Sequence, residues 1–276
     1  PDRPTPAAVA TIVNSKHPTV LFAAPTHYTK ILHEPTLADL DVSSLRLCVS
    51  AGEALPPTVF HEWRDRYGLE ILDGIGSTEA FHVFIANRPG HARPGSSGQP
   101  VPGYEADILT REGEPTPVGE EGVLHIKGGS IAIGYWNNYE KTKKTFLGEW
   151  LRTGDVYSVD GDGYYWYAGR ADDIFKTGGV WVSPIEVENI LRVHPAVQDA
   201  GVVPFRNEDD LQKGMAFVVL AEGHEGTEQL VEELKGLVKQ ELEPYKRPEL
   251  IRFVDRLPRT TTGKIQRNVL REQVQS

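Results

Sequence analysis

An α/β protein is what this sequence predicts: parallel βαβ units, then a small antiparallel, barrel-like sheet, then a small α+β domain. Three observations carry the prediction. Up to about Arg88, strand-like apolar runs alternate with helical segments, several opening at a proline. From Gly98 to Gly169 the texture changes to short strands separated by Gly and Pro, and after "GRADDIFKTGG" it changes again. Alternation of the first kind is what parallel crossover units produce. The second change puts a domain boundary near Asp172, giving domains 1–171 and 172–276.

Taken in order, Pro6 opens an apolar-periodic run to Val13, proline being suited to the first helical position. "TVLFAA" reads as a buried strand, and "PTHYTKIL" starts helically at Pro25. "LRLCVS", the helix after "LPP", and "LEILDG" continue the series. Ligands of parallel sheets bind where strand carboxyl ends meet loops, and "SAGE" and "DGIGSTE" fall at two such ends. "YEADIL", "GVLHIKG", "DVYSVD" and "GYYWYAG" are the short strands of the middle region. Beyond Asp172 come a helix at "SPIEVENILRV", strands at "AGVVPF" and "MAFVVLA", and an amphipathic helix from Thr227 to Leu242. In that helix Leu230, Leu234, Leu237 and Val238 share one face. No internal repeat or low-complexity segment interrupts the pattern.

Composition excludes several function classes. With 39% hydrophobic and 25% charged residues in 276, the chain resembles ordinary globular proteins with room for two cores. A formal net charge of -10 and the lack of a Lys/Arg run argue against nucleic acid, whose phosphates need a clustered basic footprint. No apolar run approaches the roughly 20 residues that span a bilayer, and "PDRPTPAAVA" lacks the order of a signal peptide, so a cytoplasmic protein without a membrane partner is expected. The single Cys48 excludes an internal disulfide and a cysteine-rich zinc site. Its apolar setting favours a buried core thiol over a nucleophile.

Many familiar signatures are missing: there is no GxxxxGK[ST], HExxH, GxSxG, paired CxxC or complete GxGxxG, and the nine histidines show no metal-ligand spacing. Polar candidates cluster in loops instead: "GSTE", "TGD", "GRADD", "KTGG" and "TGK". Each has an ordinary structural alternative. "GSTE" could cap a helix, Asp155 and Asp160 could form turns, and "TTTGK" could be a surface loop. Their order and joint presence favour a functional reading.

In order, "SAGEALP", "DGIGSTE", "GYWNN", "WLRTGD", "YAGRADDIFKTGGVWVSPIEVE" and "PRTTTGKIQR" resemble the downstream motifs of the acyl-adenylate-forming enzymes, within which the benzoate–CoA ligase group of aryl-CoA ligases is most similar. The resemblance runs from about Arg3 to Gln273. It implies the C-terminal part of a large AMP-binding N-terminal domain over 1–171, incomplete at its start, and a mobile C-terminal lid domain over 172–276. It also implies a two-step ligation of an aryl acid such as benzoate, using ATP with Mg²⁺ and then coenzyme A.

Residue by residue, the resemblance gives Lys264 the adenylation role, with Gly263 allowing close backbone approach. Glu79 matches the Mg²⁺ ligand, and Thr78 the hydroxyl that meets the α-phosphate. Asp155 matches the acceptor for the ribose hydroxyls, with Arg170 beside it. Gly52 and Glu53, with Asp73, Gly74, Ile75 and Gly76, match the wall around adenine, and Gly76 also borders the acyl pocket. Asp172 corresponds to the hinge between the half-reactions. Lys176 and the Gly178–Gly179 pair match the loop that enters for thioester formation. His82 matches a histidine lining the aryl pocket, a core-facing ring being the alternative, and His27 stands where an apolar residue is more usual. The family's Ser/Thr/Gly-rich phosphate loop does not occur in these residues. The chain therefore reads as the downstream portion of a ligase, inactive alone and associating with an N-terminal portion or another copy. A catalytically silent nucleotide- or CoA-binding remnant, and an aryl-adenylate ligase loading a carrier protein, stand as alternatives.

Overall fold

Pro6, Pro25, Pro57 and Pro184 each open a helix in the computed structural model, which describes residues 5–37, 40–110, 112–260 and 264–274. The chain divides into two units. One takes in the chain up to Thr153 together with Tyr157–Tyr167, and the other takes Gly154–Val156 and everything from Ala168 onward.

The first unit begins α1 (Pro6–Lys16), β1 (Val20–Ala23), α2 (Pro25–Leu32), β2 (Leu47–Ser50), α3 (Pro57–Tyr67) and β3 (Ile71–Gly76). β1, β2 and β3 pair in parallel, Val20 opposite Leu47 and Cys48 opposite Ile71, as the alternation of elements predicts. Under the helices Tyr28 meets Trp63 edge to face at 4.8 Å, and its hydroxyl lies 3.0 Å from the Leu21 carbonyl and 2.9 Å from that of Val49. Cys48 is fully buried here, and burial pushes its thiol up to about 11, which fits a core residue and not a nucleophile.

The chain continues through β4 (Val83–Ala86), β5 (Ser96–Pro100), β6 (Tyr104–Leu109), β7 (Gly122–Gly128), α4 (Tyr139–Thr145), β8 (Phe146–Leu147), β9 (Trp150–Val159) and β10 (Tyr165–Arg170). These strands pair antiparallel, as the sequence suggests, and β4 joins them to the parallel strands. β4 pairs antiparallel with β3, and one hydrogen-bonded path runs β1-β2-β3-β4-β5-β10-β9-β7-β6, with β8 on β9. Close backbone approach at two glycines permits this continuity. A Cβ on Gly74 would sit 2.8 Å from the Ile85 carbonyl oxygen, and one on Gly98 2.1 Å from the Ala86 carbonyl carbon. β9 is also longer than "DVYSVD" implies, starting at Trp150. Phe84, Leu124, Ile126, Leu151, Tyr157 and Tyr165 fill the core of this part.

The second unit contains β11 (Phe175–Thr177), β12 (Val180–Val182), α5 (Pro184–Leu191), β13 (Val197–Arg206), β14 (Gln212–Leu220), α6 (Glu228–Glu241), β15 (Leu250–Phe253) and α7 (Arg267–Val274). β13 is antiparallel to β14, and β15 parallel to it. Side-chain alternation along β13 gives the sheet two apolar faces. Val202 packs into the cluster under α5 and α6, whereas Val203 packs with Met215, Phe217, Leu257 and Leu270 of α7. The predicted face of α6 is the buried one, with Leu230, Leu234 and Val238 enclosed, and the Thr227 hydroxyl accepts from the Leu230 amide at 3.1 Å as its N-cap. No helix among the described residues is long and apolar enough to cross a membrane.

Candidate functional site

In the first unit the sequence-selected residues gather at the carboxyl ends of β2 and β3. β2 stops at Ser50, and the chain turns through Gly52, whose φ of 99° suits glycine, and on past the half-buried Glu53. The Leu55 amide then donates to Asp73 Oδ2 at 3.4 Å, tying this loop to β3. Asp73 is only 5% exposed. Its Oδ1 and the Ser50 hydroxyl are buried near one another but outside hydrogen-bond geometry. Burial, partly opposed by the Leu55 amide and the Ser50 hydroxyl, pushes the Asp73 carboxyl up to about 7. Gly74, Ile75 and Gly76 finish the strand. Gly76 has a packing reason of its own, since a Cβ there would lie 2.3 Å from the His82 carbonyl oxygen.

The loop after Gly76 is closed by its own backbone. The Ser77 amide donates to the His82 carbonyl at 3.2 Å, and Thr78–Ala80 form one 3₁₀ turn, so "GSTE" does not open an α-helix. Phe81 then takes φ 71° and ψ -48°, with the His82 amide donating to the Ala80 carbonyl at 2.9 Å. This is a γ-turn, a conformation that a bulky residue adopts only under strain. The turn leaves the Phe81 ring 84% exposed, with Thr78 and His82 exposed as well. His82 is therefore not a core-facing ring. Its imidazole stands 5.6 Å from the ring of Phe22.

Glu79 is held from a distance in sequence. The Tyr135 hydroxyl donates to its Oε1 at 2.6 Å, the Ala132 amide to its carbonyl at 2.8 Å, and Lys141 Nζ lies 4.0 Å from the Tyr135 ring centroid. Partial burial works to raise the Glu79 carboxyl. The Tyr135 hydroxyl, with smaller help from Ser77 and the Lys141 charge, more than reverses that, so it lies below the ordinary carboxylate range. Sequence reasoning missed Tyr135 as a partner, although it lies in the "GYWNN" motif.

The second unit carries the other candidates. Arg170 Nη1 is 2.9 Å from Asp155 Oδ1, and the Ala171 amide donates to the Gly154 carbonyl at 2.9 Å, so "TGD" and "GRADD" form one local structure. Past Asp172, Lys176 lies on β11 with its exposed ammonium 4.5 Å from the ring centroid of Trp181, its partner across the hairpin. Thr177 pairs with Val180, so Gly178 and Gly179, at φ 58° and 85°, are the two-residue loop between β11 and β12. Lys264 exchanges two hydrogen bonds with Thr260: the Thr260 amide donates to the Lys264 carbonyl at 2.8 Å, and the Lys264 amide to the Thr260 hydroxyl at 3.1 Å. Its side chain is exposed, and Gly263 falls outside the described residues.

Among the described residues no three His, Cys, Asp or Glu side chains gather to hold a metal ion. Glu79, pre-oriented by Tyr135 with its carboxyl held below the ordinary range, is an oxygen donor of the kind Mg²⁺ takes beside substrate phosphates.

Comparison with known proteins finds similarity over nearly the whole chain. The family described as AMP-binding enzyme matches residues 1–136, and AMP-binding enzyme C-terminal domain matches residues 186–264. The chain is 50% identical over 271 residues to a benzoate–CoA ligase of Thauera aromatica, covering 98% of this chain and 51% of that one. Among solved structures, a benzoate CoA ligase from Burkholderia xenovorans LB400 matches at 47% identity and a TM-score of 0.90, covering 98% of this chain and 54% of that one. An anthranilate CoA ligase in complex with anthranoyl-AMP matches at the same identity and TM-score, covering 97% and 52%. The chain thus spans about half the length of the relatives it matches.

Proposed function

This chain belongs to the family of AMP-binding enzymes, and we propose that its residues serve an ATP-dependent aryl-CoA ligase, with benzoate or a close aryl acid as substrate. The observation that carries the proposal is the closed loop Ser77–His82 at the end of β3, with an exposed hydroxyl at Thr78 and a carboxylate at Glu79 that Tyr135 keeps ionised. The chain spans about half the length of the relatives it matches, and the proposal places the phosphate-binding loop, which these 276 residues do not contain, elsewhere in the ligase.

In the first half-reaction a carboxylate oxygen of the aryl acid attacks the α-phosphorus of ATP, and the bond to pyrophosphate breaks. Charge gathers on the α-phosphate oxygens, so donors and cations must be aimed there. The Thr78 hydroxyl meets the α-phosphate, and the Lys264 ammonium bridges the acid and the phosphate. Asp155, fixed by Arg170, accepts from the ribose hydroxyls. The backbone from Gly52 to Glu53 and from Asp73 to Gly76 walls the adenine. His82, beside Phe22, lines the aryl pocket. Mg²⁺ at Glu79 would neutralise phosphate charge.

In the second half-reaction the CoA sulfur attacks the acyl carbon, the bond to the AMP oxygen breaks, and the thiol proton is lost to solvent. Rotation about Asp172 withdraws Lys264 and brings in Lys176 with the Gly178–Gly179 turn. The test is Lys264→Ala in the enzyme that includes the phosphate loop. Carboxylate-dependent ATP–pyrophosphate exchange should fall roughly a hundred- to a thousandfold, ~3–4 kcal/mol. Thioesterification of pre-formed aryl-adenylate should persist. Unchanged exchange refutes the role of Lys264; in the unsubstituted enzyme, exchange that yields no product with CoA but does with a phosphopantetheinylated carrier would favour transfer to a carrier-protein thiol.

A further inference from the structure

Lys264 stands between two arginines that are tied to buried or half-buried carboxylates. On its N-terminal side Arg259 pairs with Asp199, which also accepts from Arg192 Nε at 3.2 Å. On its C-terminal side Arg267, at the start of α7, reaches Glu188 Oε1 at 2.8 Å and Oε2 at 2.9 Å. Glu188 is 2% exposed, accepts from the Val202 amide at 2.7 Å, and has Arg192 3.5 Å away. One connected set of charges therefore fixes both flanks of the lysine.

The same set extends to the segment after Asp172. Arg267 Nε lies 3.7 Å from Asp173 Oδ2. One turn further along α7, Arg271 Nη2 donates to Asp173 Oδ1 at 2.6 Å and to the Asp172 carbonyl at 3.2 Å. Residues nearly a hundred positions apart in sequence thus meet at the peptide following Asp172. Asp173 and Arg271 lie at the rim of the network, with side chains 24% and 34% exposed, while Glu188 and Arg267 form its enclosed centre. The rim does little to complete an apolar core, which points to a mechanical role.

We propose that Asp173, Arg267 and Arg271 are positioning residues: they clamp the chain immediately after the Asp172 pivot onto the helix that follows Lys264, so that pivot and lysine move as one body. The proposal rests on the reading of Lys264 and Asp172 given above. Without the clamp, rotation at Asp172 would still swing the second unit, but Lys264 would reach its target with a spread of positions. A misplacement of about 1 Å in such a group costs on the order of a hundredfold in rate. Lys176 is anchored separately, through the burial of Phe175 beside it and its pairing across the β11–β12 hairpin, so the second half-reaction should depend less on the clamp.

The decisive variants are Arg271→Met and Asp173→Asn, with Arg271→Lys as the conservative control, each in the enzyme that includes the phosphate loop. Arg271→Met and Asp173→Asn should lower the kcat of ATP–pyrophosphate exchange about tenfold to a hundredfold, with KM for ATP within about twofold and thioesterification of pre-formed aryl-adenylate nearly unchanged. Arg271→Lys should restore part of the loss. A second readout needs no turnover: hydrogen exchange at the Thr260 and Lys264 amides, which are bonded to one another's residues, should quicken in Arg271→Met while α6 amides keep their protection. Unchanged kcat together with unchanged amide protection would overturn the clamp, and so would an equal loss in both half-reactions. If Lys264→Ala leaves exchange intact, the functional reading fails, and amide protection alone then decides whether the clamp exists.

Discussion

The two units hold their loops by different physics. In the first, backbone and small residues set the geometry: Gly76 lets β4 approach to a distance no side chain would tolerate, and the Ser77–His82 loop closes through its own amides and a γ-turn at Phe81. In the second, long charged side chains do the fixing, through Glu188, Arg267, Asp173 and Arg271. The contrast suits the proposed tasks. A nucleotide wall must present the same dipoles in both half-reactions, and steric constraint gives rigidity with little desolvation. A unit that changes partners benefits from contacts that can be specific in direction, and buried ion pairs supply direction at a cost in solvation.

The largest expected effect separates these two means of support. Removing one member of a buried pair strands the other, so Glu188→Ala should cost about 3–5 kcal/mol of stability in the second unit, read by urea unfolding. Replacing Glu188 and Arg267 together by Met should recover most of that loss, because no charge remains buried without its partner. If the double variant is as unstable as the single one, packing rather than charge holds this unit, and the contrast with the first unit disappears.

Next comes a buried carboxyl of the first unit that works against the fold. Asp73 has its carboxyl raised from the ordinary range to about 7 by burial, so the folded state holds the proton more tightly than the unfolded chain. Its contribution is intact at and below about pH 4, falls as pH rises toward 7, and is constant above that. Asp73→Asn removes the titration. The unfolding free energy of the variant minus that of the wild type should therefore grow by up to about 4 kcal/mol between pH 4 and 7. A flat difference across that range would show that water reaches Asp73 and that its site is wetter than its burial implies.

Gly76→Ala should follow, costing about 3 kcal/mol by forcing a Cβ against the His82 carbonyl. Near-neutral behaviour would mean that the β3–β4 pairing yields easily, contrary to the rigidity ascribed to this loop.

What the sequence disclosed about these regions follows the range of the interactions. Helix starts were legible because proline acts locally, and the α6 face because its periodicity lies within a few turns. The parallel strands were legible from apolar runs between proline-initiated helices. The joining of β4 to β3 was not, since Gly74, Gly76 and Gly98 look like turn residues until the neighbouring backbone is known. The pairs Tyr135–Glu79 and Arg271–Asp173 were hidden for a related reason: each half lay in or near a quoted motif, but partners 56 and 98 positions apart in sequence carry no local signal of the contact. The Asp155–Arg170 pairing was expected, but from the family resemblance and not from any local signal of the contact.

The smallest effect asks whether a glycine serves folding or chemistry. Gly178 and Gly179 occupy the two positive-φ positions of a hairpin loop, and nothing lies within 4 Å of a Cβ built on either. Conformation alone therefore explains the pair in the isolated fold, whereas the proposed second half-reaction wants close approach of a pantetheine chain. Asn tolerates φ near +58° and is favoured at the first position of such turns, so Gly178→Asn should change stability by less than about 0.5 kcal/mol. If thioesterification also survives, the glycine is there for the turn. If stability holds while the CoA step slows and ATP–pyrophosphate exchange does not, the missing side chain is a requirement of the thiol substrate, and the hairpin is a working surface of the second unit, as Ser77–His82 is proposed to be of the first.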